Sequence, residues 1–405
     1  MMKLMKSFFT TIIVLLLFLL LSSLSVVNIN LLAGSDLSTP ITDKDIDLHT
    51  FNKNGSIWVV WLNPQDDKNI FWLDFETCMK AAATSLGVKI TILHSSYSQF
   101  AMVNNVKALI SKTKKPDFIV FSPTKMNGPI ILDLAEKAGI KTFILNAGLS
   151  SEEKKTYGGP RNKFKNWIGE ILADDESAGY VLAEELIKMA RAKKLNGTDD
   201  KIHICAINGN PADGSAIERL KGLQRSLRNH KDVILEQVFT SFNWNFEDAK
   251  TITQHVQQRY PETRIIWSAN DTMAMGSVDG YKASVLKPGI SILIGGVDWT
   301  QEALALIKEN KLAVSVGGHF FQGAWALVLL YDYFNGIDFV SENLEMKSDM
   351  TSISWSNIGD YKNLISRRTN NLYQNIDFKK FSKKFNPDLK TYNFSIYEAM
   401  KISKK

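Results

Sequence analysis

Amide, charged and aromatic residues recur in this 405-residue chain at one kind of place, the polar stretch that follows a short β-rich run. Behind the run at 57–62 stand Asn63 and then Asn69, Phe71 and Trp72, in NPQDDKNIFW; behind 141–145 stands Asn146. Further on come GNPADGSAIERLKG with Arg219, SFNWNFED with Trp244, SANDTMAMG with Asn270 and Asp271, and GGVDWT with Asp298 and Trp299. Each hydroxyl that a ligand takes out of water must find a partner or forfeit about 1–3 kcal/mol, and charged partners form the stronger bonds. Flat side chains cover the apolar C–H faces of a ring, and ring contacts add about 0.5–1.5 kcal/mol beyond area burial. Asn69, Phe71, Trp72, Asn146, Arg219, Trp244, Asn270 and Asp298 are therefore the candidate ligand set for a small hydroxylated ring, a sugar or polyol, with Trp72 and Trp244 on its two faces. Nothing in the set breaks bonds. The sequence has no Gly-x-Ser-x-Gly, no serine or cysteine with a convincing histidine, no glycine-rich phosphate loop and no Cys/His cluster at metal-ligand spacing. Neither enzymatic activity nor a cofactor or metal is expected.

The elements that must position these residues alternate regularly. Runs at 57–62, 89–93, 117–121 and 141–145 read as strands, separated by helices near 71–86, 99–112 and 128–138. A second series follows, with helices over 176–194, 214–228, 247–259 and 272–285 interleaved with strands at 201–207, 232–239, 263–267 and 290–296. That rhythm specifies parallel strands with helical crossovers, and strands apolar on both faces require helices on both sides of the sheet. Ligands of such sheets bind outside the carboxyl ends of the strands, where the polar stretches fall. In the first helix Phe75, Cys78, Met79, Ala82 and Leu86 recur at helical spacing as the buried stripe. Phe71 and Trp72, at its first turn, are left to face a ligand rather than the core.

Length favours two domains. Lys3 and Lys6 precede the apolar run Phe8–Leu21, and small residues follow; 1–25 reads as an export signal, cleaved for example after Ser25, with a retained membrane anchor as the rival reading and 26–55 a linker. No cysteine follows the apolar run, which argues against a lipid anchor. The net charge of +6 is small for this length and gives no field that calls for nucleic acid. Cys78 and Cys205 lie in apolar segments of different domains, so no disulfide is expected. The lysine-rich stretch 361–405 carries Tyr373, Phe378, Phe381, Phe385, Tyr392 and Phe394, aromatics that suit docking on a lobe better than disorder.

In this order and at these intervals, NIFW at the first helix, SAIERLKGL, WSANDTMAMGSVDG and ILIGGVD resemble the type I periplasmic binding proteins, the ribose and galactose receptor family. The resemblance covers roughly Ile57–Gly336. It implies an α/β fold of two doubly wound parallel-sheet lobes joined by a three-strand hinge: 56–173 plus 319–350 in lobe 1, 174–318 plus 351–360 in lobe 2, and 361–405 an appended tail. It also implies a monomer in the periplasm that closes on a sugar and delivers it to an ABC permease, or alternatively reports it to a membrane sensor. Two positions depart from the pattern: Ala147 replaces an arginine of ribose-type members, and Gly318, followed by His319, replaces a glutamine or arginine. The loop NPQDDKNIFW is also similar to that of the periplasmic autoinducer-2 receptor.

Overall fold

The two series of strands form two separate six-stranded sheets, in a computed structural model that describes residues 56–66, 68–369 and 372–401. The expected export signal and linker, 1–25 and 26–55, lie outside the described residues. The first series runs β1 (Trp58–Asn63), α1 (Ile70–Leu86), β2 (Lys89–His94), α2 (Gln99–Ile110), β3 (Phe118–Phe121), α3 (Gly128–Lys137), β4 (Lys141–Asn146), α4 (Ser151–Tyr157) and β5 (Trp167–Ala173). The second runs α5 (Asp175–Ala192), β6 (Ile202–Asn208), α6 (Gly214–Leu227), β7 (Val233–Thr240), α7 (Phe246–Arg259), β8 (Thr263–Ser268), α8 (Asp271–Gly280), β9 (Leu293–Val297), α9 (Gln301–Lys308) and β10 (Val314–Gly317). The chain then returns through α10 (Gln322–Phe334) and β11 (Glu345–Ser348) to β12 (Thr351–Ser354).

Strand order is β11-β5-β4-β3-β1-β2 in one sheet and β12-β10-β9-β8-β6-β7 in the other. All neighbours are parallel except the β10–β12 pair. In each sheet the order reverses at the first strand, β1 or β6, which opens a crevice at its carboxyl end. All residues of β1 and β6 are buried, as central strands covered by helices on both faces require.

Local chemistry sets the helix starts at this end. Asn69 caps α1, its side chain accepting from the Trp72 N–H at 3.3 Å, and Asn270 caps α8, accepting from the Met273 N–H at 2.8 Å. At the far end of α1 Gly87 adopts φ 74°, the left-handed cap that only glycine takes without strain.

The chain passes from the first sheet to the second between β5 and α5 at Asp174, back between β10 and α10 at Gly318, and across again between β11 and β12 at 349–350. The tail then adds a fourth connection. From β12 it runs through α11 (Lys362–Thr369) to a 3-10 turn at Leu372–Asn375 that packs on α1 of the first lobe. There it is clamped by the buried carboxylate of Asp332, which accepts from the Ser382 hydroxyl, the Lys383 N–H at 2.7 Å and the Tyr392 hydroxyl at 2.9 Å. Phe378, Phe381 and Phe394 gather around the ring of Trp325 at 5.0–5.8 Å. The tail aromatics thus cover the outer face of α1 and α10, and the last element among the described residues is α12 (Ile396–Lys401).

One buried carboxyl gives the first lobe a pH signature. Glu170 of β5 is 1 % exposed, and Lys154 bridges it, at 2.7 Å, to Glu345 of β11, at 2.6 Å. Burial pushes the Glu170 carboxyl up to about 7, against the lowering pull of Lys154. The folded state therefore holds this proton more tightly than the unfolded chain does. Its contribution to stability is complete below the ordinary value of 4.5 and is lost as pH rises through about 7. Thermal melts of Glu170→Gln and the parent between about pH 5 and pH 8 should diverge, the parent losing up to about 3 kcal/mol relative to the variant as pH rises. Parallel curves would show that Glu170 titrates normally.

Candidate functional site

The polar stretches behind the strands converge between the two sheets on one void of about 80 Å³. All eight residues singled out from the sequence border it: Asn69, Phe71, Trp72 and Asn146 from the first lobe, and Arg219, Trp244, Asn270 and Asp298 from the second. Several are aimed by turns in unusual backbone conformations. Asn146 has φ 66°, Trp244 φ 57° and Asp298 φ 131°, and the next residue, Trp299, has φ 59°. Left-handed non-glycine residues are held only where the surroundings impose them, and they cluster at binding sites.

Arg219 is the charged centre. It is 3 % exposed; its Nε donates to Asp175 Oδ1 at 2.7 Å and its Nη1 to the Ala269 carbonyl at 2.6 Å, with Asp298 Oδ1 at 3.6 Å. Burial alone would lower the guanidinium pKa, but Asp175 and Asp298 outweigh it and raise it, so the group stays a cation. Asp271 is buried beside this cluster, and desolvation followed by the charge of Asp298 lifts its pKa well above the carboxylate range. Asp271 braces the loop that presents Asp298: it accepts from the Thr300 N–H at 2.8 Å and from the Ser315 hydroxyl at 2.8 Å. The adjacent residues of the NDTMA stretch thus divide the work, Asn270 capping the helix at the void and Asp271 supporting it from behind.

Two polar atoms lack a protein partner here, Oδ1 of Asn146 and Oγ of Ser215, on residues that are both 7 % exposed and line the void. A buried polar group left without a partner is costly, so such atoms mark where a ligand's hydroxyls would bond.

The aromatics hold different positions. Trp244 is half-buried; its Nε1 donates to Asp213 Oδ2 at 2.9 Å and lies 3.1 Å from the Tyr97 hydroxyl. Its ring lies so close over Gly209 that a Cβ there would come within 2.0 Å of it, so only glycine fits beneath. Trp72 lines the void but also packs on Trp61 at 5.8 Å and Phe75 at 5.2 Å. The expectation that Trp72 faces a ligand rather than the core is too simple: at 8 % exposure it does both, because the first turn of α1 lies directly over β1. Phe71 rests on the buried His319 ring at 4.7 Å. His319 supports this wall from behind, and its Nε2 lies 3.5 Å from Asp298 Oδ1. Gly318, ahead of it, has φ 119°, a conformation that disfavours the longer side chain expected there.

Sequence reasoning missed Tyr97 and Asp213, which close the void at its mouth. The Tyr97 hydroxyl of the first lobe donates to Asp213 of the second, and Asp213 Oδ1 also accepts the Lys125 N–H at 2.8 Å. Lys125 Nζ returns to the Tyr97 carbonyl at 2.8 Å and lies 3.8 Å from the Tyr97 ring centroid. Backbones approach as well, since a Cβ on Gly214 would stand 3.2 Å from the Gly148 carbonyl. The lobes are therefore closed. Asp213 precedes SAIERLKG and Tyr97 follows the second strand, so both occupied the right kind of position, but neither residue type is distinctive alone.

Two parallel-sheet lobes joined by short crossings around a polar, aromatic-walled void define a hinged binding protein. Residues 59–338 match the family model described as a periplasmic binding protein domain, and the chain belongs to this family. It is 21 % identical over 255 residues to the galactofuranose-binding protein YtfQ of Escherichia coli, covering 60 % of this chain and 72 % of that protein. It is 26 % identical over 268 residues to the D-allose-binding periplasmic protein of the same organism, covering 65 % and 80 %. Among solved structures, a periplasmic sugar-binding protein from Pseudomonas fluorescens superposes with a TM-score of 0.74 at 31 % identity, covering 84 % of this chain and 98 % of the other.

Proposed function

We propose that this chain is a periplasmic solute-binding protein that captures one small hydroxylated ligand, a sugar or polyol, between its lobes and presents the closed form to an ABC permease. The observation that carries this reading is the pair of unpartnered buried oxygens, on Asn146 and Ser215, facing one void with the Arg219 cation and the Trp244 ring. Hydroxyls supply the missing bonds, and the ring covers a C–H face. The names of the relatives point to the same chemistry. Asn69, Phe71, Trp72, Asn146, Arg219, Trp244, Asn270 and Asp298 are the contacts, and the protein acts as a monomer without altering its guest.

The bodies that move are 56–173 with 319–350, and 174–318 with 351–360, turning about Asp174, Gly318 and 349–350. A ligand touching both bodies only when they are shut shifts the population toward the closed form, which is the state a permease reads. With Tyr97 and Asp213 joined across the cleft the lobes are closed, so they part to admit the ligand. A thermal-shift panel of pentoses and hexoses in both ring sizes, together with polyols, tests the reading. One member should raise the melting temperature, the native state gaining about 2.7 kcal/mol at a hundredfold excess over Kd. A panel with no effect on a folded protein sinks it.

A further inference from the structure

The residues matched by the family model end at 338, yet the chain continues far enough to lie along the hinge. Behind the crossings is a second cavity of about 540 Å³, walled by Gly317 and Gly318, by Ser348, Asp349 and Thr351, and by the tail from Tyr392 to Tyr397. Two of those walls are crossings between the lobes. The third is held to the first lobe by Asp332 and Trp325, and its end reaches the second.

The contacts at that end form a column. The Tyr397 ring lies 6.0 Å from that of Tyr361, and its hydroxyl interacts with Tyr361 and Thr351. Tyr361 meets Trp299 edge-on at 5.4 Å. Trp299, 1 % exposed, is fixed on its other side by Ser315, which accepts the Trp299 N–H through Oγ and the indole N–H through its carbonyl, both at 3.1 Å. Asp298 is the residue immediately before it, and both carry positive φ, so the direction of the Asp298 carboxylate depends on where the indole is clamped. Beside Tyr397, Cδ1 of Ile396 comes within 3.5 Å of where a Cβ of Gly318 would stand. The helix packs on α11, with Ala399, Leu364 and Ile365 buried.

We infer that Tyr397 is a positioning residue for the ligand site: through Tyr361 and Trp299 it holds Asp298, and through its helix on Gly318 it ties that hold to the angle between the lobes. The role assigned to Asp298 rests on the proposed function; the restraint on the hinge does not. A strap anchored on one lobe and stacked on the other narrows the range of hinge angles. Apparent affinity scales with the fraction of molecules in the binding-competent arrangement. Tyr397 is 44 % exposed, so replacing it removes the column without opening the core.

The test uses the full chain with no sugar present. Cys78 and Cys205 are buried, so spin labels attach selectively at Lys137→Cys and Lys308→Cys, exposed positions at the ends of α3 and α9. Fluorotryptophan labelling, with the Trp299 resonance assigned by Trp299→Phe, reports on the clamp. Tyr397→Ala is expected to broaden the distribution of label separations and to shift or split the Trp299 resonance. Tyr397→Phe, which keeps the ring pair, is expected to leave both as in the parent. A distance distribution and resonance unchanged in Tyr397→Ala overturns the inference, as does a Phe variant that behaves like the Ala variant. Because neither readout involves a sugar, a silent ligand panel would count against the sugar reading alone.

Discussion

Arg219→Met is expected to have the largest effect of any single substitution at the site, on stability as well as on binding. The guanidinium is buried between Asp175 and Asp298 with a backbone carbonyl completing its bonds. Removing it leaves two carboxylates in a poorly solvated place without their cation. Breaking a buried pair from one side costs about 3–5 kcal/mol, because the remaining charge must be desolvated alone or take up a proton. Denaturant melts at neutral pH should show that loss. A methionine variant as stable as the parent at neutral pH would mean that the acids are solvated, and that the charged centre of the site is drawn wrongly. Ligand binding should disappear in the variant even where the protein remains folded.

Trp244→Ala separates binding from folding more cleanly. This indole is half-buried, stands over Gly209, borders the void and packs only against the margin of the core rather than within it. Covering a sugar face with it should stabilise the complex by about 2 kcal/mol, from buried area and ring contact together, so the alanine variant should bind roughly thirtyfold more weakly. Ligand-induced quenching should fall with it. Five of the nine tryptophans, Trp61, Trp167, Trp267, Trp299 and Trp325, are fully buried and supply a background that a ligand in the void does not touch. Unchanged affinity on titration, measured calorimetrically, would remove Trp244 from the site. Trp72→Ala is a poorer probe, because Trp72 also fills the space between Phe71, Phe75 and Trp61. Truncating a core aromatic costs about 3–5 kcal/mol of stability, and weakened binding would then be confounded with a loosened lobe.

Much of the site was legible from local sequence because the fold class fixes where ligands go. Alternating apolar runs and amphipathic segments specify parallel strands with crossover helices, and the carboxyl ends of those strands are where Asn146, Arg219, Trp244, Asn270 and Asp298 stand. The helix starts read near 71 and at 272 fall within one residue of those observed, Ile70 and Asp271; that the Asn69 and Asn270 side chains cap them, satisfying an N–H that each helix leaves open, emerged only from the structure. The ends of some elements shifted by a few residues. The strand read at 290–296 begins at Leu293 and the helix read at 272–285 ends at Gly280, since Lys287 takes part in a turn with Ser291 and Ile292 that apolar periodicity does not reveal.

What the tertiary structure decided is everything that depends on two distant segments meeting. Tyr97 and Asp213 are 116 residues apart, and nothing in either neighbourhood says that one will reach the other across the cleft. The twofold use of Trp72, as wall and as core, follows from how closely α1 lies on β1. The docking of the tail depends on Asp332, a single acid in an apolar helix whose four bonds come from residues 382–392. Patterns of period two or near four record which face of an element is buried, because burial acts on each element locally. Contacts between elements are set by the packing of the whole chain, so residues such as these acquire their roles only once it has folded.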